Sequence, residues 1–184
     1  ITVVSETGET DHLVDENDPY LQDVELGKED VFLSIKTDKK SVFVQEGFAF
    51  GISLYIAESA AVQMEFFDFN NQLQSILKKI HPANCWEENV GLEEIVKRQV
   101  TIRGKKYTEY NMYQAHFFPL TLQDVVFPPI ALNMLVVENK NAVNVQHKVV
   151  RTYTSNAVKI KVKPLPPHPL KDQIAVGQYA LQEN

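Results

Sequence analysis

The chain has 184 residues, of which 44% are hydrophobic and 23% charged, a balance that excludes a wholly disordered protein. The formal net charge of −6 is unevenly spread: residues 1–30 hold ten acids and one base, and residues 31–184 hold fourteen acids and seventeen bases. The body is therefore not an acidic protein, and it lacks the clustered excess of bases that a nucleic-acid binder carries.

Cys85 is the only cysteine, so no internal disulfide can form. That fits a reducing compartment, and equally an oxidising one in which the domain has core enough to need no staple. The longest apolar stretch, Val125 to Val137, is broken by Pro128, Pro129 and Asn133 and falls short of the ~18–20 residues of a spanning helix. The N-terminus shows no initiator Met and no basic-then-apolar signal peptide. A chain that opens Ile1-Thr2-Val3-Val4 is expected to be the inside of a longer protein, with any export signal or anchor outside it.

Residues 5–30 are polar and acidic, with too little apolar surface to offset the entropy of ordering them. They read as a connector, with Tyr20, Leu21, Val24 and Leu26 available to touch the body. Asp11, Asp15, Glu16, Asn17 and Asp18 lack the ligand order of a calcium loop. From Val31 short alternating runs begin, the signature of strands. Val31–Ile35 and Ser41–Gln45 flank a turn at Asp38-Lys39-Lys40. Phe48, Phe50, Ile52, Leu54 and Ile56 alternate with smaller residues and Tyr55, and Ala61–Phe67 is a further strand. Leu73, Ile76, Leu77 and Ile80 then fall on one helical face, with Asn70 or Asn71 expected as the cap and Pro82 beyond the end.

Strands resume at Lys97–Arg103, with Gly104-Lys105 expected as a tight turn. A long aromatic strand runs from Lys106 to Phe118, placing Tyr107, Tyr113, Ala115 and Phe117 on one parity. Val125–Phe127 is stopped by two prolines, and Ile130 to Val136 alternates again. Val158, Ile160 and Val162 alternate with Lys159, Lys161 and Lys163, as suits a half-exposed strand near a sheet edge. Eight or nine short strands with one short helix predict an all-β fold, an immunoglobulin-like antiparallel β-sandwich. A parallel α/β fold would need many more helices. Pro164, Pro166, Pro167 and Pro169 stiffen the exit. The expected organisation is a preceding domain's end plus acidic linker over 1–29, one sandwich over 30–163, and a proline-rich linker with the start of a following domain over 164–184.

His81, Cys85, Glu87 and Glu88 are the only cluster of metal-ligand types, but the paired spacings of a structural zinc site are missing, so no metal is expected. No nucleophile elbow or phosphate-cradling glycine loop occurs, so neither catalysis nor a cofactor is expected. Lys36, Lys39, Lys40, Lys97, Arg98, Arg103, Lys105 and Lys106 read as solvated strand ends and hairpin tips. Trp86, with Tyr107, Tyr110, Tyr113, Phe117 and Phe118, could line a carbohydrate or peptide surface, although such rings more often fill a sandwich core.

Certain words carry more than patterns do. Residues 30–46 (DVFLSIKTDKKSVFVQE) followed by Leu54-Tyr55, residues 103–107 (RGKKY) with 113–119 (YQAHFFP), and residues 155–166 (SNAVKIKVKPLP) with 175–179 (AVGQY) together resemble the BatD family of bacterial aerotolerance proteins. Trp86 stands where that family often has a tryptophan before the central hairpin. The likeness covers about residues 29–181. The family usually has a Gly where this chain has Gln45, and a Gly-containing turn where it reads Leu120 to Asp124, so the loops are expected to differ more than the strands. The resemblance implies an exported, non-enzymatic protein of several immunoglobulin-like domains, held in the membrane by a helix nearer the C-terminus. It also implies partners with von Willebrand A-type domains and a MoxR-type ATPase encoded nearby, and it supplies no catalytic residues. The function expected is a periplasmic protein–protein interaction module, with carbohydrate binding as the alternative. The candidate interaction residues are Trp86, Tyr110, Lys159 and Lys161, the last two on the edge strand.

Overall fold

The computed structural model describes residues 29–60, 62–89, 95–139 and 146–167. The connectors expected at 1–29 and 164–184, including Tyr20 to Leu26 and the acids of 11–18, lie outside the described residues apart from Glu29 and 164–167.

The described residues form an all-β sandwich with one helix. Its elements are β1 (Val31–Thr37), β2 (Ser41–Phe43), β3 (Phe48–Ala57), β4 (Gln63–Phe66), α1 (Phe69–Ile80), β5 (Cys85–Asn89), β6 (Val96–Ile102), β7 (Lys105–Pro119), β8 (Val125–Phe127), β9 (Ala131–Asn139), β10 (Gln146–Thr154) and β11 (Val158–Lys163). One layer is a five-stranded antiparallel sheet in the order β1-β3-β7, with β5 and β6 end to end along the outer edge of β7. The other layer is two three-stranded sheets, β10-β9-β4 and β2-β11-β8, in which β2 runs parallel to β11.

Rings lock the layers together. Phe50 of β3 lies 4.4 Å from Phe127 of β8, centroid to centroid, and Phe117 of β7 lies 5.3 Å from the same ring. Leu33, Ile35, Ile52, Leu54, Leu132, Met134, Ile160 and Val162 complete one continuous core, which draws on both layers. Each fully buried Phe or Leu contributes roughly 1.5–3 kcal/mol by leaving water. The helix closes one side of the core with Ile76 and Ile80, as its apolar face predicts.

β7 does not keep one parity. Its register on β3 passes from Tyr113 opposite Ile52 to Asn111 opposite Ser53, so Met112 is an extra residue, a β-bulge. Beyond the bulge the faces exchange. Tyr113, Ala115 and Phe117 face the main core, whereas Tyr107 joins Tyr55, Ala57, Val100 and Ile102 in a second cluster on the far side of the sheet. The expected shared face of Tyr107 and Tyr113 is thereby corrected.

Other expectations are adjusted too. β5 and β10 were not foreseen. The hairpin turn is Arg103-Gly104, both at positive φ (50° and 76°), one residue earlier than expected. The helix starts at Asp68, at φ 45° and with no side-chain cap; Asn71 instead donates to Asp68 Oδ1 at 2.7 Å. β11 is an inner strand, paired to β8 through Val158–Ile160 and to β2 through Lys161–Lys163, so the expected lysine-guarded edge does not exist.

Three side chains take the place of missing strand partners. The Asn156 amide accepts from Ile35 N–H at 3.0 Å and donates to Ile35 C=O at 3.1 Å, on the outer edge of β1. Gln72 of α1 does the same for Asn133 of β9, at 2.8 and 3.1 Å. Asp124 Oδ1 accepts from Val162 N–H at 3.1 Å. Replacing Asn156 with Ala strips both partners from the buried Ile35 backbone and is expected to cost about 1–3 kcal/mol, read as a lower urea midpoint with an unchanged slope.

Candidate functional site

A buried polar cluster spans four strands on the far face of the large sheet. Glu109 of β7 is wholly inaccessible; Lys36 of β1 and Arg98 of β6 donate to its two oxygens, and Tyr55 OH of β3 donates to Oε1 at 2.9 Å. Burial alone would push the Glu109 carboxyl up, but the two cations and their hydrogen bonds win and hold it at about 2. Burial and the adjacent Glu109 charge push the Tyr55 phenol well above its ordinary range. Through these bonds the cluster ties β1, β3, β6 and β7 together. Of the basic residues singled out earlier, Lys39 pairs with Glu46 at 2.8 Å and Lys105 with Asp30 at 2.6 Å.

A second cluster lines a groove. It lies between the C-terminal half of α1 and the edge formed by β5 and β7, and encloses a cavity of about 540 Å³. Leu77, Ile80 and Phe117 form its apolar wall, and Lys78, His81, Glu87, Asn89 and Tyr113 its polar one. Glu87 is held at both oxygens: Tyr113 OH donates to Oε1, and His81 Nε2 lies 3.2 Å from Oε2. Burial and Glu87 raise the Tyr113 phenol above its ordinary range, so it stays a donor. Of the metal-type quartet, only His81 and Glu87 converge. Cys85 is buried in the main core, and Glu88 lies on the strand's other face. Among the described residues no three His, Cys, Asp or Glu side chains gather to hold a metal.

On the outer face of β5, Trp86 is 56% exposed and leans on Phe118 at 5.1 Å. Leu120 and Leu122 follow in the next loop, both exposed. Gly47 is required beneath this patch, because a Cβ there would lie 2.6 Å from the Phe118 ring.

The four candidate interaction residues do not form one surface. Tyr110 packs on Phe66 at 6.0 Å, on the core face of the sheet, with the Lys97 ammonium 5.8 Å from its ring. Lys159 reaches Asp124 at 3.0 Å, and the Lys161 amide bonds Lys40 C=O at 3.0 Å. Sequence reasoning missed that β5 is an edge strand flanking a groove. Its residues, Cys-Trp-Glu-Glu-Asn, show no apolar alternation, and Tyr113 is remote in sequence.

Two outcomes check these assignments. Since Glu109 is depressed on folding, its stabilisation is complete above its ordinary value of 4.5 and is lost as pH falls towards about 2. Glu109→Gln is expected to flatten the stability–pH curve over that window and to cost about 3–5 kcal/mol at neutral pH, because the buried Lys36 ammonium loses the carboxylate it donates to. Burial pushes the Cys85 thiol up to about 11. A thiol-reactive dye at pH 8 should therefore leave the native chain unlabelled and label it in denaturant. Comparison with protein-family models, with curated proteins and with solved structures returns no match to this chain.

Proposed function

We propose that this chain is a non-catalytic protein–protein interaction module, an immunoglobulin-like domain of a membrane-anchored periplasmic protein linked to oxygen and stress tolerance. The observation that carries the interaction reading is the exposed Trp86–Phe118–Leu120 patch. Trp86 is more than half exposed and leans on Phe118, and tryptophan is among the residue types enriched at binding hot spots.

The family part rests on the resemblance to BatD proteins, and one backbone detail supports it. The family's usual Gly falls at Gln45, whose φ of 67° lies in the region that favours glycine. The turn is held there by Gln45 N–H on Pro119 C=O at 2.8 Å and by Phe43 N–H on Glu46 at 2.8 Å. The carbohydrate reading needs a row of exposed rings. Tyr107, Tyr113 and Phe117 are buried, which leaves Trp86 with only the partly covered Phe118 beside it.

The test is co-purification of the full-length protein with an envelope partner, the resemblance pointing to one with a von Willebrand A-type domain. Trp86→Ala should weaken recovery by about tenfold or more while leaving the circular dichroism spectrum unchanged. Recovery that survives Trp86→Ala, Leu120→Ser and Leu122→Ser alike would remove the patch from the interaction.

A further inference from the structure

The edge of β5 differs from the edges at Ile35, Asn133 and Val162 in what occupies it. Leu120 N–H bonds Asn84 C=O at 2.8 Å, which makes residues 84 and 120 a hydrogen-bonded antiparallel pair. Bonded pairs alternate along such a ladder, so Trp86 and Glu88 turn their backbones towards β7, and Glu87 turns its N–H and C=O outward. Side chains plug the corresponding positions at Ile35, Asn133 and Val162. Among the described residues nothing plugs Glu87. At the start of the strand Cys85 N–H is already satisfied by Pro82 C=O at 3.2 Å, so the open stretch begins at Glu87.

What flanks that opening is suited to an extended chain. On one side of the strand lies the groove, about 540 Å³, walled by Leu77, Ile80 and Phe117. On the other side lie Trp86 and Glu88. Successive side chains of an added strand point to opposite faces, so one enters the groove and the next lies beside Trp86 or Glu88. The Glu87 carboxylate is engaged by His81 and Tyr113, whereas Glu88 is exposed and has no ion-pair partner among the described residues.

We infer that β5 accepts an added strand from a partner protein, an extended segment alternating apolar with basic residues, held between α1 and β5. Its main chain bonds Glu87 N–H and C=O, its apolar side chains enter the groove, and a Lys or Arg faces Glu88. Acidic segments are disfavoured by Glu88. A second copy of β5 is disfavoured too, since pairing like with like would set glutamates against glutamates. This deepens the interaction reading above and rests on it, by naming the partner's chemistry and mode of attachment.

Trp86 is the single tryptophan, so its emission reports occupancy of β5 directly. The probe is an end-capped nonapeptide alternating leucine and lysine, titrated into the 184-residue chain at low salt. The controls are the same peptide N-methylated at alternate amides, which cannot pair as a strand, and a leucine–glutamate version. The expected result is a saturable blue shift with the leucine–lysine peptide and none with the methylated one. Affinity for the leucine–glutamate peptide should be lower by about tenfold, and the exposed variant Glu88→Lys should reverse that preference. An equal response to the methylated peptide overturns strand addition, as does an unchanged preference in Glu88→Lys or a lack of any saturable shift. If those arms fail while Trp86→Ala still loses the envelope partner, strand addition falls and the interaction module stands. If Trp86→Ala keeps the partner while the peptide arms succeed, the patch reading falls and the groove stands.

Discussion

An inserted residue at Met112 lets one long strand serve two interiors. Without it, a fifteen-residue β7 would keep odd residues on one face, and Tyr107 would share the face of Tyr113 and Phe117. With it, the C-terminal half of β7 supplies Tyr113, Ala115 and Phe117 to the sandwich core. The N-terminal half supplies Tyr107 and Glu109 to the opposite face. The bulge also separates the two strands on the outer edge of β7. β6 pairs on one side of it and β5 on the other, offset in register. The groove beside β5 and the ion cluster beneath β6 are thus both consequences of a single extra residue.

Strand edges are the second organising constraint. An unpaired ladder invites association, and this chain answers with amides, a carboxylate and cations. Asn156 and Gln72 present the donor and acceptor of a peptide group without being backbone. The exposed β10 edge strand carries Lys148, which is itself held by Glu65 at 2.8 Å. β5 has a tryptophan and two glutamates instead, and no lysine. That contrast, together with the adjoining groove, separates a protected edge from a receptive one.

Much of the fold was legible because faces leave a periodic trace. The alternation of Phe48, Phe50, Ile52 and Leu54 marked β3, and the spacing of Leu73, Ile76, Leu77 and Ile80 marked α1 and its buried side. What periodicity lacks is the identity of neighbours. The apolar-cationic alternation of Val158 to Lys163 correctly described one buried and one exposed face, yet said nothing of strands on either hand, and β11 proved to be internal. β10 escaped notice because its residues are mostly exposed, and β5 because it is a short edge strand with little buried surface. The candidate site was half legible. Trp86, His81 and Glu87 stood out as residue types, but Tyr113 joins them only through the pairing of β5 with β7. Glu109 gave no signal at all, since a buried acid makes sense only beside Lys36 and Arg98.

The parallel pairing of β11 with β2 joins residues 161–163 to residues 41–43. Asn156 meets Ile35 across a comparable span of chain. The second layer is therefore incomplete until β11 has been made. A nascent chain holding β1 to β10 would already own the aromatic core residues Phe50, Phe117 and Phe127, but would lack Ile160 and Val162 to finish covering them. Long-range closure of this kind slows folding and favours completion as one step once β11 has emerged.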